Sequence, residues 1–290
     1  LAQIVSDVRF AVRSLAKSPG TSLLMTATLA VGLAANGTIF NILDAMVVRG
    51  FEFPHQDRLV RIWETGGNDL DGLDRDTVAP ANLLDWQAQA KGGAIDEMFA
   101  IDDLEINLRA DGGTERLEAA VVSPGFFEAL GIVPAAGRTF TRDEGRPGQG
   151  HQVILGDALW KRSFGGAPVL GRTVLMNGEP YEVIGIAPPR FQFPDGAQAW
   201  LPLALPAPAE ARRDQHYLMV LGRLAEERTP EQARAELSVV AQRLAKEHAQ
   251  TNTGRGIEVK TFNLGFGDPV LPQLLVIWQA AAMLVLLIAC

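Results

Sequence analysis

Residues 166–173, Gly-Ala-Pro-Val-Leu-Gly-Arg-Thr, have the glycine spacing of a phosphate-binding loop. That chemistry needs a strand before the loop, a helix after it, a lysine to reach the phosphates and free amides to cradle them. The flanking patterns run the other way: residues 158–164 predict a helix and residues 172–176 a strand. Arg172 stands where the lysine should be, and Pro168 removes an amide. A turn between helix and strand explains the glycines better than a nucleotide does. His55, His151, His216 and His248 are scattered, with no second ligand at i+3 or i+4, unlike a metal site. No G-x-S-x-G motif occurs, and the single cysteine, Cys290, lies in an apolar run, which excludes the usual nucleophiles. The many carboxylates read as solvated surface. Trp63, Trp86, Trp160 and Trp200 are spaced as packing residues are. Nothing calls for catalysis, a metal or a cofactor.

The elements around these residues are more informative. Residues 21–43, TSLLMTATLAVGLAANGTIFNIL, contain no Asp, Glu, Lys or Arg. As a helix they would run about 35 Å, enough for a hydrocarbon core of about 30 Å. Residues 274–290, LLVIWQAAAMLVLLIAC, are also uncharged. Two membrane stretches are therefore expected: transmembrane helix 1 over 21–43 and a truncated helix 2 over 271–290. Residues 3–17 set Ile4, Val8, Ala11, Val12 and Leu15 on one helical face, the pattern of an amphipathic juxtamembrane helix within 1–20. Arg9, Arg13 and Lys17, opposed only by Asp7, mark that flank as cytoplasmic. Gly32, Asn36 and Gly37 suit a span packed against other helices in the bilayer. A cleaved signal peptide is the rival for this region. The apolar residues that continue to Val48 and the long basic segment oppose it.

Residues 50–270 carry 22 Lys+Arg against 32 Asp+Glu, a net of about −10, so no basic face exists for nucleic acid. Residues 44–270 are expected outside the cytoplasm, folded without disulfides. Starting at Leu1 and ending in an apolar run, the chain reads as a fragment of a longer protein.

Within 44–270, residues 57–64 read as a strand, and Pro80 opens a helix. Residues 104–122 form a hairpin around Asp111-Gly112-Gly113, and Ser123-Pro124 caps a short helix that Gly131 ends. Residues 153–155 are a strand. Residues 172–176 and 180–186 are a hairpin around Asn177-Gly178, the strongest two-residue turn signal. The proline-rich stretch from 188 to 208 reads as irregular. Residues 216–224 are a strand, Thr229-Pro230-Glu231-Gln232 a capping box opening a helix to His248, and 256–262 a closing strand. The fold class is α+β: a porter-like β-α-β lobe with a hairpin-rich inserted lobe at about 104–200.

The ordered series DVRFAVRSLAKSPG (7–20), LAANGTIFNILDAMVVR (33–49), DRLVRIWE (57–64), VVSPGFFEALGIVPAAGRTF (121–140), residues 153–194 and TPEQARAEL (229–237) resembles the MacB/FtsX-like permeases of ABC transporters. It is most similar to their large duplicated members of acidobacterial type. The resemblance implies a membrane helix, a MacB-like periplasmic core domain, a cytoplasmic ABC ATPase as partner and a second permease copy. It implies an inner-membrane, multi-pass, non-catalytic subunit that relays ATPase-driven motion outward. Without the resemblance, a bitopic sensor with an extracytoplasmic domain fits the same pattern, and an exported enzyme is a third alternative.

Overall fold

The structure is a computed structural model. It describes residues 53–66 except 55, 75–90, 92–110, 113–194, 196–207 and 211–262, with isolated positions in the two apolar stretches. The chain divides into two units, Leu1–Glu52 with Phe266–Cys290, and Phe53–Gly265. Among the described residues no helix is long and apolar enough to cross a membrane.

The Phe53–Gly265 unit is built on one hydrogen-bonded sheet. Its strands are β1 (Leu59–Thr65), β2 (Ile95–Ala110), β3 (Gly113–Val122), β4 (Ala136–Gly137), β5 (Gln152–Leu155), β6 (Thr173–Met176), β7 (Glu179–Ile186), β8 (Ala199–Pro202), β9 (Met219–Leu224) and β10 (Gly256–Thr261). Their order is β10-β1-β9-β2-β3-β8-β5-β7-β4, with β6 beside β2 and β7. The helices are α1 (Pro80–Gln89), α2 (Phe126–Ala129), α3 (Asp157–Phe164), α4 (Pro230–Glu247) and α5 (Ala249–Asn252).

β1 pairs antiparallel with both β9 and β10, so β9-α4-β10 is a split β-α-β unit around β1. Thr229 Oγ1 accepts the Gln232 amide and Gln232 Oε1 accepts the Thr229 amide, as the capping box predicts. The 4-4-3 spacing of Ala233, Leu237, Ala241 and Leu244 gives α4 one buried stripe. That stripe joins Val60, Ile62, Leu83, Trp86, Met98 and Val220 in a first core.

The hairpin-rich half has its own core: Ile106, Leu108, Leu117, Val153, Leu155, Leu159, Val183 and Ala199, among others. Its β6–β7 turn has Asn177 at φ 51° and Gly178 at φ 88°, the left-handed pair this turn requires. Asn177 then docks on β2, its Oδ1 accepting the Asn107 amide at 2.9 Å.

Three local expectations are corrected. The strand of the first hairpin starts at Ile95, not 104, and its early part pairs with β9 through a bulge between Ile95 and Glu97. Met98, Phe99, Ala100 and Ile101 are all buried, so this part of the strand carries no alternation to read. Residues 199–202 are a strand, parallel to β3 and antiparallel to β5. All four of its residues are buried, which erases any period-2 signal. Ser123 does not cap α2: Gly125, at φ 91°, holds that position, while Ser123 Oγ accepts the Ala100 amide at 2.9 Å. Because β2 pairs with β9 at one end and β3 at the other, the two halves share one ladder.

Candidate functional site

The two ends of the folded body meet. Phe53, before β1, and Phe262, after β10, place their rings 5.6 Å apart, edge to face. Both pack on Phe193, from the β7–β8 loop, at 5.6 and 5.5 Å. Phe193 stacks on Phe126 of α2 at 5.9 Å, and Phe126 meets Phe127 at 5.4 Å. Phe127 and Phe191 both touch Trp200 of β8, at 5.8 and 5.1 Å. The Trp200 indole N–H donates to the Phe193 carbonyl at 2.8 Å, wholly buried. Each such ring pair contributes about 0.5–1.5 kcal/mol beyond the area it buries. Beside this cluster Gly131, at φ 67°, lies against Pro54, and a Cβ there would stand 2.8 Å from the proline ring. A side chain at 131 would push the incoming chain off the cluster.

Pro54 and Gly131 also border a cleft of about 500 Å³ with Arg58, Asp96, Glu128, Arg223 and Glu226. A second cleft, of about 520 Å³, lies between α1 and the 142–145 turn, floored by Ile95, Met98, Leu203 and Leu205. Asp96, carried out by the bulge, lines both. The charges here are paired across the ladder: Arg58 bonds Asp96 at 2.8 Å and the Leu224 carbonyl at 2.6 Å, and Arg223 lies 3.4 Å from Glu97. The 142–145 turn is held by Glu144, which takes a two-pronged bond from Arg138 (2.9 and 2.6 Å) and the Thr141 amide (2.7 Å). Burial pushes the Glu144 carboxyl up, but these donors more than reverse it and hold it below the ordinary glutamate range.

At the other end of β1, a buried polar hub ties down the loops. Glu64 Oε1 accepts the Ala79 amide (3.0 Å) and Asn82 Nδ2 (2.9 Å), serving the start of a helix that has no capping side chain of its own. Glu64 Oε2 faces Arg255 (3.3 Å) and His216 (3.1 Å). Arg255 also reaches Asp76 at 3.1 Å. Asn82 Oδ1 takes bonds from Asn252 (2.9 Å) and Arg213 (2.7 Å). Glu64 is 1% exposed, so loss of one of these partners would leave buried polar atoms uncompensated.

The phosphate-loop candidate is a turn: the Gly171 amide donates to the Val183 carbonyl at 2.8 Å, and the Arg172 guanidinium lies 5.6 Å above the Phe164 ring. His151 packs on Tyr181, and His248 ends α4. Among the described residues no three His, Cys, Asp or Glu side chains converge as metal ligands. Trp86 and Trp200 are fully buried, as packing residues should be. Arg9, Arg13, Lys17, Gly32 and Asn36, with the two expected spans as wholes, lie outside the described residues. Gly37 is helical and exposed, with open space where a Cβ would stand. The hub at Glu64 and the rings at Phe53, Phe193 and Phe262 were not singled out by sequence. Their partners lie too far along the chain to leave a spacing.

A mixed α+β body with a split β-α-β unit, whose bounding residues Phe53 and Phe262 lie side by side, is the class this fold defines. The sequence profile of the MacB-like periplasmic core domain matches residues 22–240, and the chain belongs to that family. No protein of curated function matches the chain. The fold is similar to the periplasmic region of MacB from Actinobacillus actinomycetemcomitans, with a TM-score of 0.50 and 16% identity over 70% of this chain and 88% of that one. It is also similar to a domain of a putative permease protein from Porphyromonas gingivalis, with a TM-score of 0.53 and 16% identity over 73% of this chain and 92% of that one.

Proposed function

We propose that the chain is the permease (transmembrane) subunit of an ABC transporter of MacB/FtsX type, relaying motion from a separate cytoplasmic ATPase to an extracytoplasmic domain. In this reading residues 21–43 and 271–290 lie in the inner membrane, and residues 44–270 stand outside it as a porter-like lobe with an inserted lobe. Arg9, Arg13 and Lys17 hold the cytoplasmic flank, and Gly32, Asn36 and Gly37 pack the first span against other permease helices. A second permease copy completes the assembly, and the subunit hydrolyses nothing itself.

The observation that supports this reading is the meeting of Phe53 and Phe262: the folded body begins and ends at adjacent points, and in the sequence an uncharged stretch lies beyond each. In those stretches Leu23, Val276, Ile277, Trp278 and Met283 are exposed, which suits lipid rather than water. The family match to a periplasmic domain points the same way.

The test is topology with function. A cysteine placed at Val239, which is exposed, should react with a membrane-impermeant maleimide on osmotically opened, unlysed cells, and the whole permease should stimulate ATP hydrolysis by its cytoplasmic ATPase. Labelling only after lysis of the inner membrane overturns the reading. A signalling domain following the second span would install the bitopic sensor in its place.

A further inference from the structure

We infer that Phe193 is the contact through which displacement of the two chain ends reaches the hairpin-rich half. The inference rests on the permease reading above.

Besides the Pro54–Gly131 approach and the longer Phe53–Phe191 contact, two routes join the ends of the folded body to that half. The first is the sheet: from β1 to β8 the ladder crosses β9, β2 and β3. At about 4.8 Å per step this is about 19 Å. It also passes through the bulge in β2, where the register slips between Ile95 and Glu97. The second route is direct. Phe53 and Phe262 each lie one ring contact from Phe193, at 5.6 and 5.5 Å. Among the described ring pairs, Phe193 alone touches both chain ends; Phe191 reaches only Phe53, at 6.3 Å.

Phe193 passes motion onward because it is fixed to what lies behind it. Its carbonyl holds the Trp200 indole, and Trp200 belongs to β8, hydrogen-bonded to β3 on one side and β5 on the other. Its ring stacks on Phe126, carrying α2 with it. Phe193 is 1% exposed and Trp200 fully buried, so neither can yield into solvent. A shift at the chain ends therefore moves β8 and α2 together, without first bending the intervening strands. Phe193 is a positioning residue in this scheme.

Hydrogen exchange on the whole permease, reconstituted with its ATPase, tests it by comparing nucleotide-free and ATP-trapped states. In the natural protein, trapping should alter exchange in β1 and β10 and also in residues 187–203 and 123–131. Phe193→Ala should keep the change in β1 and β10 while the change in 187–203 and 123–131 shrinks roughly fivefold. Phe193→Leu, which refills the space, should restore it. Should Phe193→Ala fail to fold, the double variant Phe53→Ala/Phe262→Ala cuts the same contacts from the other side and should give the same split. An unreduced response in either folded variant overturns the inference while leaving the permease reading intact. A natural protein in which no segment of 53–265 responds to trapping overturns both.

Discussion

The helix-backed half and the hairpin-rich half fasten their loops in opposite ways. At the far end of β1 the loops are held by charge: Glu64 gathers the start of α1, Arg255 and His216 into a dry hub. At the ends of the folded body the loops are held by rings, with the Trp200 indole donating to the Phe193 carbonyl among them. The two buried tryptophans make the contrast sharp. Trp86, on the buried face of α1, has no acceptor for its indole N–H within reach among the described residues, whereas Trp200 has one. Charged hubs fix geometry by direction and fail abruptly when one partner is lost. Ring clusters tolerate small shifts and transmit them. A body driven from its chain ends would need the second kind there and the first kind at the opposite end.

Removing Trp200 should give the largest effect. Trp200→Ala empties the centre of the ring cluster and should cost about 4–5 kcal/mol, read as a lower urea midpoint in chemical unfolding. Glu64→Leu should come next, at about 3 kcal/mol, because Arg255, the Ala79 amide and Asn82 lose a buried acceptor. If Glu64→Leu proves neutral, the hub is not what fastens that end. The tryptophan pair sharpens the comparison further. Trp200→Phe removes the buried bond from the indole to the Phe193 carbonyl and should cost about 0.5–1.5 kcal/mol more than Trp86→Phe, which breaks no such bond.

The smallest effects separate the halves by pH. Glu144 is held below its ordinary value, so the stability it contributes is present above that value and is lost as pH falls through the folded one. Glu144→Gln should therefore lower the melting temperature at pH 7, with the difference closing in acid. Asp103, on the shared strand β2, is pushed up by burial and then by Glu118, against the pull of Arg61. Its neighbour Asp102 is raised by burial and by Asp103. A raised carboxyl contributes stability below its ordinary value and loses it as pH rises through the folded one. Asp103→Asn should accordingly raise the melting temperature at pH 7, and this gain should also vanish in acid. Equal signs for the two variants at pH 7 would show that one of these environments is misassigned.

The residues that sequence placed well all work over short spans of chain. Thr229 and Gln232 are three apart, Asn177 and Gly178 are adjacent, and the buried stripe of α4 repeats every three or four residues. The misses share a different cause. β8 is four buried residues ending in Pro202, with no alternation to read, and it earns its place by lying beside β3, some eighty residues earlier. The start of β2 runs through four consecutively buried residues, 98–101, and Gly125 holds the position expected for Ser123, whose hydroxyl instead takes the Ala100 amide.

Sequence by itself determined the uncharged flanking stretches, the acidic middle, the capping box at Thr229, the Asn177-Gly178 hairpin and the α+β class, because each follows from side chains a few positions apart. Only the tertiary structure decided that one sheet runs through both halves, that Glu64 serves a helix from another element, and that Phe53 and Phe262 close on Phe193. Those pairings join residues up to about two hundred positions apart. Many alternative partners share the same side-chain chemistry, so only the packing of the whole body selects among them.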